Sequence, residues 1–518
     1  MKCIFLISSE KSRQGLRCKS CRAALKVRFS MAGFKEMLKD TSKFRIIYVM
    51  DLFFCNIAFL QIPAYVLLVF LFGWGARLVV FNQKRYNTFF RMRFGLWVGA
   101  FLIMSLISIL LNFSVTIFYS VIMLIHVFIC FFIFYGMHTE PNFNFKAELY
   151  KISTLIVYLT TIANVIGVFC LMFGINFEWE WIKFTIYENR FTGVYVNPNL
   201  LGFCSVVSIV CCHILSKEKL IEVEGCHPVS KVWLVTCIVT NLFSLILCDS
   251  NASLVLALGY AIVYIAYLFF AEKEGLKPSA IILKITSVML AGVFIVCSSL
   301  VFRNVFQAGF AVVTAKTTSF VDVLFNRDEI INQSGELAEQ ILEQEKNQVT
   351  FEHLNQNADS GRFKLWRESI DLFKISPIIG IANGNIVSYS GEYLNGSLSY
   401  SYHENDLHNG FLTILVSTGI IGFMLFGIFG FRFAKHAAQH LFLQKNTFRN
   451  DIYPCLFSFL FAYLGYSLFE KALLYDISFM VIWFWLFMGY TSCYIAGFEP
   501  MLETQYLFHR ERLTRTML

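Results

Sequence analysis

His408-Asn-Gly-Phe-Leu-Thr-Ile-Leu-Val-Ser-Thr-Gly419-Ile-Ile-Gly422-Phe-Met-Leu-Phe-Gly-Ile-Phe-Gly-Phe431 decides how this chain is read. An imidazole and a polar amide stand directly before more than twenty residues that carry no charge. That length lets an α-helix cross a hydrocarbon layer of about 30 Å. The run is continuously apolar, not alternating, which excludes a barrel strand. Comparable runs recur through the chain, and the composition agrees: 57% hydrophobic, 17% aromatic, 15% charged, with a mean hydropathy of +0.61. A soluble protein could not enclose so much apolar surface, whereas lipid can. The expected class is an all-α polytopic membrane protein. The net charge of +8 is not a nucleic-acid signal, because the basic residues gather in short loops while the aromatics lie within the apolar runs. Most of the fifteen cysteines sit in apolar runs and read as small buried hydrophobes. Cys18-x-x-Cys21 has redox or zinc spacing, but no second pair and no nearby histidine.

Twelve spans are expected, at about 44–62, 63–80, 94–112, 115–136, 150–174, 197–216, 231–248, 251–270, 280–302, 408–431, 452–469 and 473–496. Pro63 is read as dividing the first two, and Asp249-Ser250-Asn251 the seventh and eighth. With the N-terminus inside, the cytoplasmic loops carry Arg77, Lys84, Arg85, Arg91 and Arg93, then Arg432, Lys435, Lys445 and Arg449. The short outer loops near 113, 250 and 471 carry only Lys471. Residues 1–43 form a basic cytoplasmic segment, part of it upstream of the true start if Met31 opens the chain. Spans one to nine occupy 44–302, an extracytoplasmic cap 303–407, the last three spans 408–496, and a basic cytoplasmic tail 497–518.

Two outer segments are long enough for function. One is Gly174 to Asn197. In it Arg190-Phe-Thr-Gly193-Val-Tyr-Val-Asn197-Pro198-Asn199 leads into the sixth span. Asn197 suits an N-cap and Pro198 the first helical position, so free N–H groups and a positive dipole end lie beside Arg190. They could hold an anion such as a diphosphate, or Arg190 could merely snorkel. The other segment is the cap. It holds an acidic part, Asp328 to Asp359, and then a helix with Phe363, Trp366, Ile370 and Phe373 as its apolar stripe, ended by Ser376-Pro377. Arg362 begins that helix, with a guanidinium fork that suits phosphate. His408 is a candidate general base, with a structural histidine as the alternative. His403, Glu404 and Asp406 crowd the same loop, but their spacing fits no metal motif. Glu470 lies between the last two spans; an ion pair with Lys471 is the simplest expectation for it.

These motifs together resemble the bacterial O-antigen ligase and polysaccharide polymerase family. His408-Asn409, nine residues, then Gly419-x-x-Gly422 matches its signature. Arg190-x-x-Gly193 through Asn197-Pro198-Asn199 is similar to a second motif, and Ser360-Gly361-Arg362, Trp366 and Pro377 to Gly380 to a third. Phe469-Glu470 and Trp483 to Gly489 are similar in style, so the likeness spans roughly 185–490. It implies a GT-C-like helical glycosyltransferase that needs neither metal nor cofactor. Such enzymes work on the outer face of the cytoplasmic membrane and pass a glycan from undecaprenyl diphosphate to a hydroxyl of a glycan or lipid acceptor. Arg190 and Arg362 would hold the donor diphosphate, and His408 would activate the acceptor. Asn197, Asn199, Asn409, Gly419, Gly422 and Glu470 would support them. Membrane lipids and other polysaccharide-export proteins are the implied neighbours. The acidic insert and the basic N-terminal segment are not explained by the likeness. Polymerase is preferred to ligase because nothing marks an outer-membrane acceptor. A secondary transporter is the rival from another class, though no internal repeat is seen; a non-catalytic assembly scaffold is weaker still.

Overall fold

A computed structural model describes residues 36–113, 116–179, 182–187, 190–223, 225–271, 278–325, 362–394, 406–443 and 450–498. The acidic part of the expected cap, His403, Glu404, both termini and Cys18-x-x-Cys21 lie outside these residues.

A helix occupies the place of each expected span. They are α1 (Thr41–Phe54), α2 (Gln61–Tyr86), α3 (Gly95–Leu111), α4 (Ile117–Ile129), α5 (Phe145–Met172), α6 (Pro198–Leu215), α7 (Lys231–Leu247), α8 (Asn251–Ala271) and α9 (Pro278–Phe325). Beyond these come α10 (Arg362–Ile375) and α11 (Ile386–Tyr393), then α12 (Gly410–Leu443), α13 (Tyr453–Tyr466) and α14 (Phe479–Phe498). Among the described residues 8 helices are long and apolar enough to cross a membrane, while α3, α7 and α13 are shorter apolar helices and α1 has 14 residues. Pro63 does not divide α1 from α2; it lies in the first turn of α2, where its missing N–H costs nothing. The break falls at 55–60, where Ala58 N donates to Val194 O and Val196 N to Asn56 O.

Three further differences bear on the site. The segment after α5 is not a loop but an antiparallel sheet of β1 (Phe177–Trp179), β2 (Ile182–Tyr187) and β3 (Arg190–Gly193), in the order β1-β2-β3. The ninth helix runs on to Phe325, past the expected cap boundary at 303. The last helix begins at Phe479, because residues 467–478 form an irregular buried segment. Its carbonyls are taken by buried side chains: Tyr463 Oη donates to Ala472 O at 3.0 Å and Trp485 Nε1 to Leu473 O at 2.8 Å. That pairing lets non-helical backbone persist among apolar neighbours. The core is centred on α14, 83% buried over its span window, whereas α9 is 6% buried and peripheral. Trp483 and Trp485 are fully enclosed.

The glycine motif explains itself sterically. Helix α12 breaks at Gly419 (φ 64°, ψ −173°), a region open almost only to glycine. A break there strands the N–H groups of residues 420 and 421 and the carbonyls of 416 and 417. The turn after α10 supplies all four partners. Ile420 N donates to Pro377 O (2.8 Å) and Ile421 N to Ile378 O (3.4 Å). In return Ile381 N donates to Val416 O (3.0 Å) and Ala382 N to Ser417 O (3.1 Å). Pro377-x-x-Gly380 and Gly419-x-x-Gly422 are thus two halves of one joint. A Cβ on Gly380 would meet Ser417 C at 2.4 Å, one on Gly419 would meet Ile378 O at 2.3 Å, and one on Gly422 would meet Thr418 Oγ1 at 2.3 Å. Gly419→Ala is expected to cost about 1–3 kcal/mol from conformation alone, with the clash added. Thermal unfolding in detergent should show a lowered midpoint. Gly427→Ala, whose Cβ would meet nothing within 4 Å, should match the parent.

The joint sets α10 against the bundle. Its buried residues are Leu365, Ser369 and Leu372, packed with Ile381, Leu407 and Val416. Of the expected stripe, Phe373 packs against this cluster and Trp366 against Phe469, while Phe363 and Ile370 stay exposed. Ile375 ends the helix before Ser376-Pro377, as expected.

Candidate active site

Arg190 opens β3, and its guanidinium crosses to the turn between α7 and α8. Nε donates to Cys248 O at 3.1 Å, and Nη2 to Asp249 O at 3.1 Å and Asn199 Oδ1 at 2.9 Å. All three acceptors are neutral, so none of these bonds cancels the charge. Asn197 caps α6 as expected, accepting from Asn199 N at 2.7 Å with Pro198 at the first position. The Asn199 amide then faces two ways: its oxygen accepts from Arg190, and its Nδ2 donates to Glu470 Oε1 at 3.5 Å.

Glu470 joins the three predicted side chains. It is 4% exposed, in the irregular segment before α14. Oε1 accepts from Arg362 Nη2 at 3.0 Å, and Oε2 lies 3.4 Å from His408 Nδ1. Trp366, one turn along α10, packs against Phe469 with ring centroids 6.0 Å apart and the planes tilted by 45°. The expected pairing of Glu470 with Lys471 gives way to this arrangement, while Lys471 Nζ lies 3.9 Å from Asp476. Adjacent residues in an irregular turn point apart, so adjacency in sequence misled.

Asn409 caps α12: its Oδ1 accepts from Phe411 N and Leu412 N, both at 3.0 Å. His408 stands just before the cap at φ 44°, a conformation that costs an L-residue roughly 1–2 kcal/mol. Asp406 Oδ1 holds it by accepting from His408 N at 2.7 Å, and Gly410 N donates to Ser467 O at 2.8 Å. The turn carries the imidazole to Glu470. Burial pushes the imidazole pKa down, but the Glu470 hydrogen bond and the charges of Asp406 and Glu470 outweigh burial and the opposing Arg362, so the pKa lies above its ordinary value of 6.5. With Nδ1 facing the Glu470 carboxylate, a neutral His408 that donates from Nδ1 keeps its lone pair on Nε2, which is buried.

Arg303 escaped the reading of the sequence. It lies in α9, 5% exposed, donating to Asn251 Oδ1 at 2.8 Å and pairing with Asp249 Oδ1 at 3.3 Å. In sequence it resembles the charged end of a span; the continuation of α9 hid its place beside the turn that holds Arg190. An apolar cleft of about 680 Å³ runs from this point between α6, α7, α8 and α9, with Ser250 and Arg303 at its polar end. Among the described residues, no group of three or more His, Cys, Asp or Glu side chains could hold a metal ion.

The loops that carry the basic residues lie at the other end of the helices. Arg93 Nη1 donates to His436 Nε2 at 2.7 Å, and Asn450 reaches Glu218. Helices long and apolar enough to cross a membrane, with two arginines, a carboxylate and a histidine gathered at one end of the bundle, define a polytopic membrane protein with a charged cluster at that end. A family model described as O-antigen ligase matches residues 236–427, just over a third of the chain. Over that segment the chain is similar to the O-antigen ligase family. Arg303, Arg362, His408, Gly419 and Gly422 fall inside the matched residues; Arg190, Asn197, Asn199 and Glu470 fall outside them. No curated protein matches the chain.

Proposed function

We propose that this protein transfers a glycan from undecaprenyl diphosphate to an acceptor hydroxyl at the extracytoplasmic face, without a metal, and that it extends surface-polysaccharide chains by repeat units. The observation that carries this reading is Glu470, whose one carboxylate meets Arg362 and His408 and reaches Arg190 through Asn199. The bond from the sugar anomeric carbon to the diphosphate oxygen breaks, and the electron pair leaves with the diphosphate. Arg190 and Arg362 stabilise that charge as it develops. The acceptor oxygen bonds to the anomeric carbon, and its proton passes to His408 Nε2. Glu470 and Asp406 stabilise the imidazolium that results. The apolar cleft ending at Arg303 supports a lipid-borne donor, since it offers a polyprenyl chain a place beside the cationic end.

The pH dependence tests the pairing. His408 must be neutral to accept a proton, so transfer should rise with pH through a midpoint above 6.5. In Glu470→Gln the negative charge that favours the imidazolium is gone and the hydrogen bond is no longer charge-assisted, so this midpoint should move to lower pH. Rates measured across the profile with lipid-linked donor decide it. An unmoved midpoint would show that Glu470 does not tune His408. The product distribution separates the two members of the class: a ladder of lengths marks a polymerase, a single transfer a ligase.

A further inference from the structure

At the end of α12 remote from His408, a cavity of about 600 Å³ opens with an apolar floor and a basic rim. Gly427 and Phe431 belong to the floor, while Arg432, Lys435, His436 and Gln439 form the rim. No carboxylate occurs among the described residues that line it. Two of the rim groups are held from α3 and the turn before it: Arg432 lies 5.2 Å above the Trp97 ring, and His436 accepts from Arg93. Arg432 is therefore held at the opening. Arg432 follows Gly410 by 22 residues across the break at Gly419, a rise of at most about 33 Å. That distance carries the rim from the level of His408 to the opposite boundary of a bilayer whose apolar core is about 30 Å thick. An apolar floor at acyl-chain depth under cations at headgroup depth fits one kind of occupant.

We propose that this cavity binds an anionic phospholipid of the cytoplasmic leaflet, its phosphate held by Arg432 and Lys435 and an acyl chain lying over Gly427 and Phe431. The leaflet follows from the basic loops, which share this end of the bundle. The site is independent of the transfer chemistry, which lies at the other end.

Native mass spectrometry of the full chain, delipidated and then titrated with phosphatidylglycerol, tests the proposal. Phosphatidylcholine and inorganic phosphate serve as the other probes. The parent should retain phosphatidylglycerol in preference to phosphatidylcholine, and inorganic phosphate should not displace it. Arg432→Gln with Lys435→Gln should weaken retention by about 30-fold, the effect of two cations near a membrane surface. Gly427→Phe keeps the charges but fills the floor, where a new side chain meets nothing within 4 Å of its Cβ; it too should weaken retention and decides the matter if the charge variant does not fold. Equal retention of the two lipids, displacement by inorganic phosphate, or unchanged binding in Gly427→Phe would each overturn the proposal.

Discussion

His408→Ala is expected to yield a folded, membrane-inserted protein whose glycan transfer is reduced by about 10²–10⁴-fold, the usual cost of losing a positioned general base. Folding should survive because the residues that secure the turn are its neighbours: Asn409 caps α12, and Gly410 N bonds Ser467 O. The substitution removes an imidazole and leaves those bonds in place. Donor binding should persist, since the diphosphate is assigned to the arginines. A binding measurement with lipid-linked donor, run beside the transfer assay, separates the two effects. Near-normal transfer in His408→Ala would mean that another group activates the acceptor. Lost donor binding would mean that the imidazole belongs to the diphosphate site.

Arg190→Lys and Arg362→Lys are each expected to lower transfer by about 10²–10³-fold, as for removal of one oriented donor to a developing negative charge. The positive charge remains in both variants; what disappears is the fork. Arg190 reaches Cys248 O, Asp249 O and Asn199 Oδ1 from one planar group, and a single ammonium cannot hold that geometry while also meeting a phosphate. Arg362 joins Glu470 through one Nη, so its remaining donors can serve the substrate without breaking the link to His408. Lysine at 362 must choose between them. Full transfer in both lysine variants at normal protein levels would reduce the arginines to interfacial anchors.

Much of this site was legible because it is written in motifs with steric or chemical reasons. Gly419 admits no Cβ because the turn from Pro377 to Gly380 lies against it, and Gly422 admits none because Thr418 does. Asn197-Pro198 announces a capped helix start, and the structure has one. The rest depended on contacts far apart in sequence. Glu470 was visible as an ionisable residue near an apolar run, but its partners lie 62 and 108 positions away. Arg303 sat at what looked like the end of a span, since no sequence rule says that α9 continues to Phe325. The β1–β3 sheet left a faint mark: Ile182, Phe184 and Ile186 alternate with Lys183, Thr185 and Tyr187. A register irregularity at Thr185/Ile186 and the short strands weakened that alternation beside long apolar runs. Residues 473–478 read as helix because they continue an apolar pattern; only the buried Tyr463 and Trp485 donors reveal why the backbone departs from it.

The central claim is that Arg190, Arg362, His408 and Glu470 perform glycan transfer from a lipid diphosphate without a metal. The most direct measurement supplies the purified protein with undecaprenyl-diphosphate-linked glycan and acceptor in EDTA, and follows glycan transfer together with release of undecaprenyl diphosphate. Equal amounts of both products, formed at the same rate with or without EDTA, are the predicted result. Loss of transfer in EDTA that a divalent cation restores would contradict the account and move Asp406, with His403 and Glu404, into a metal site.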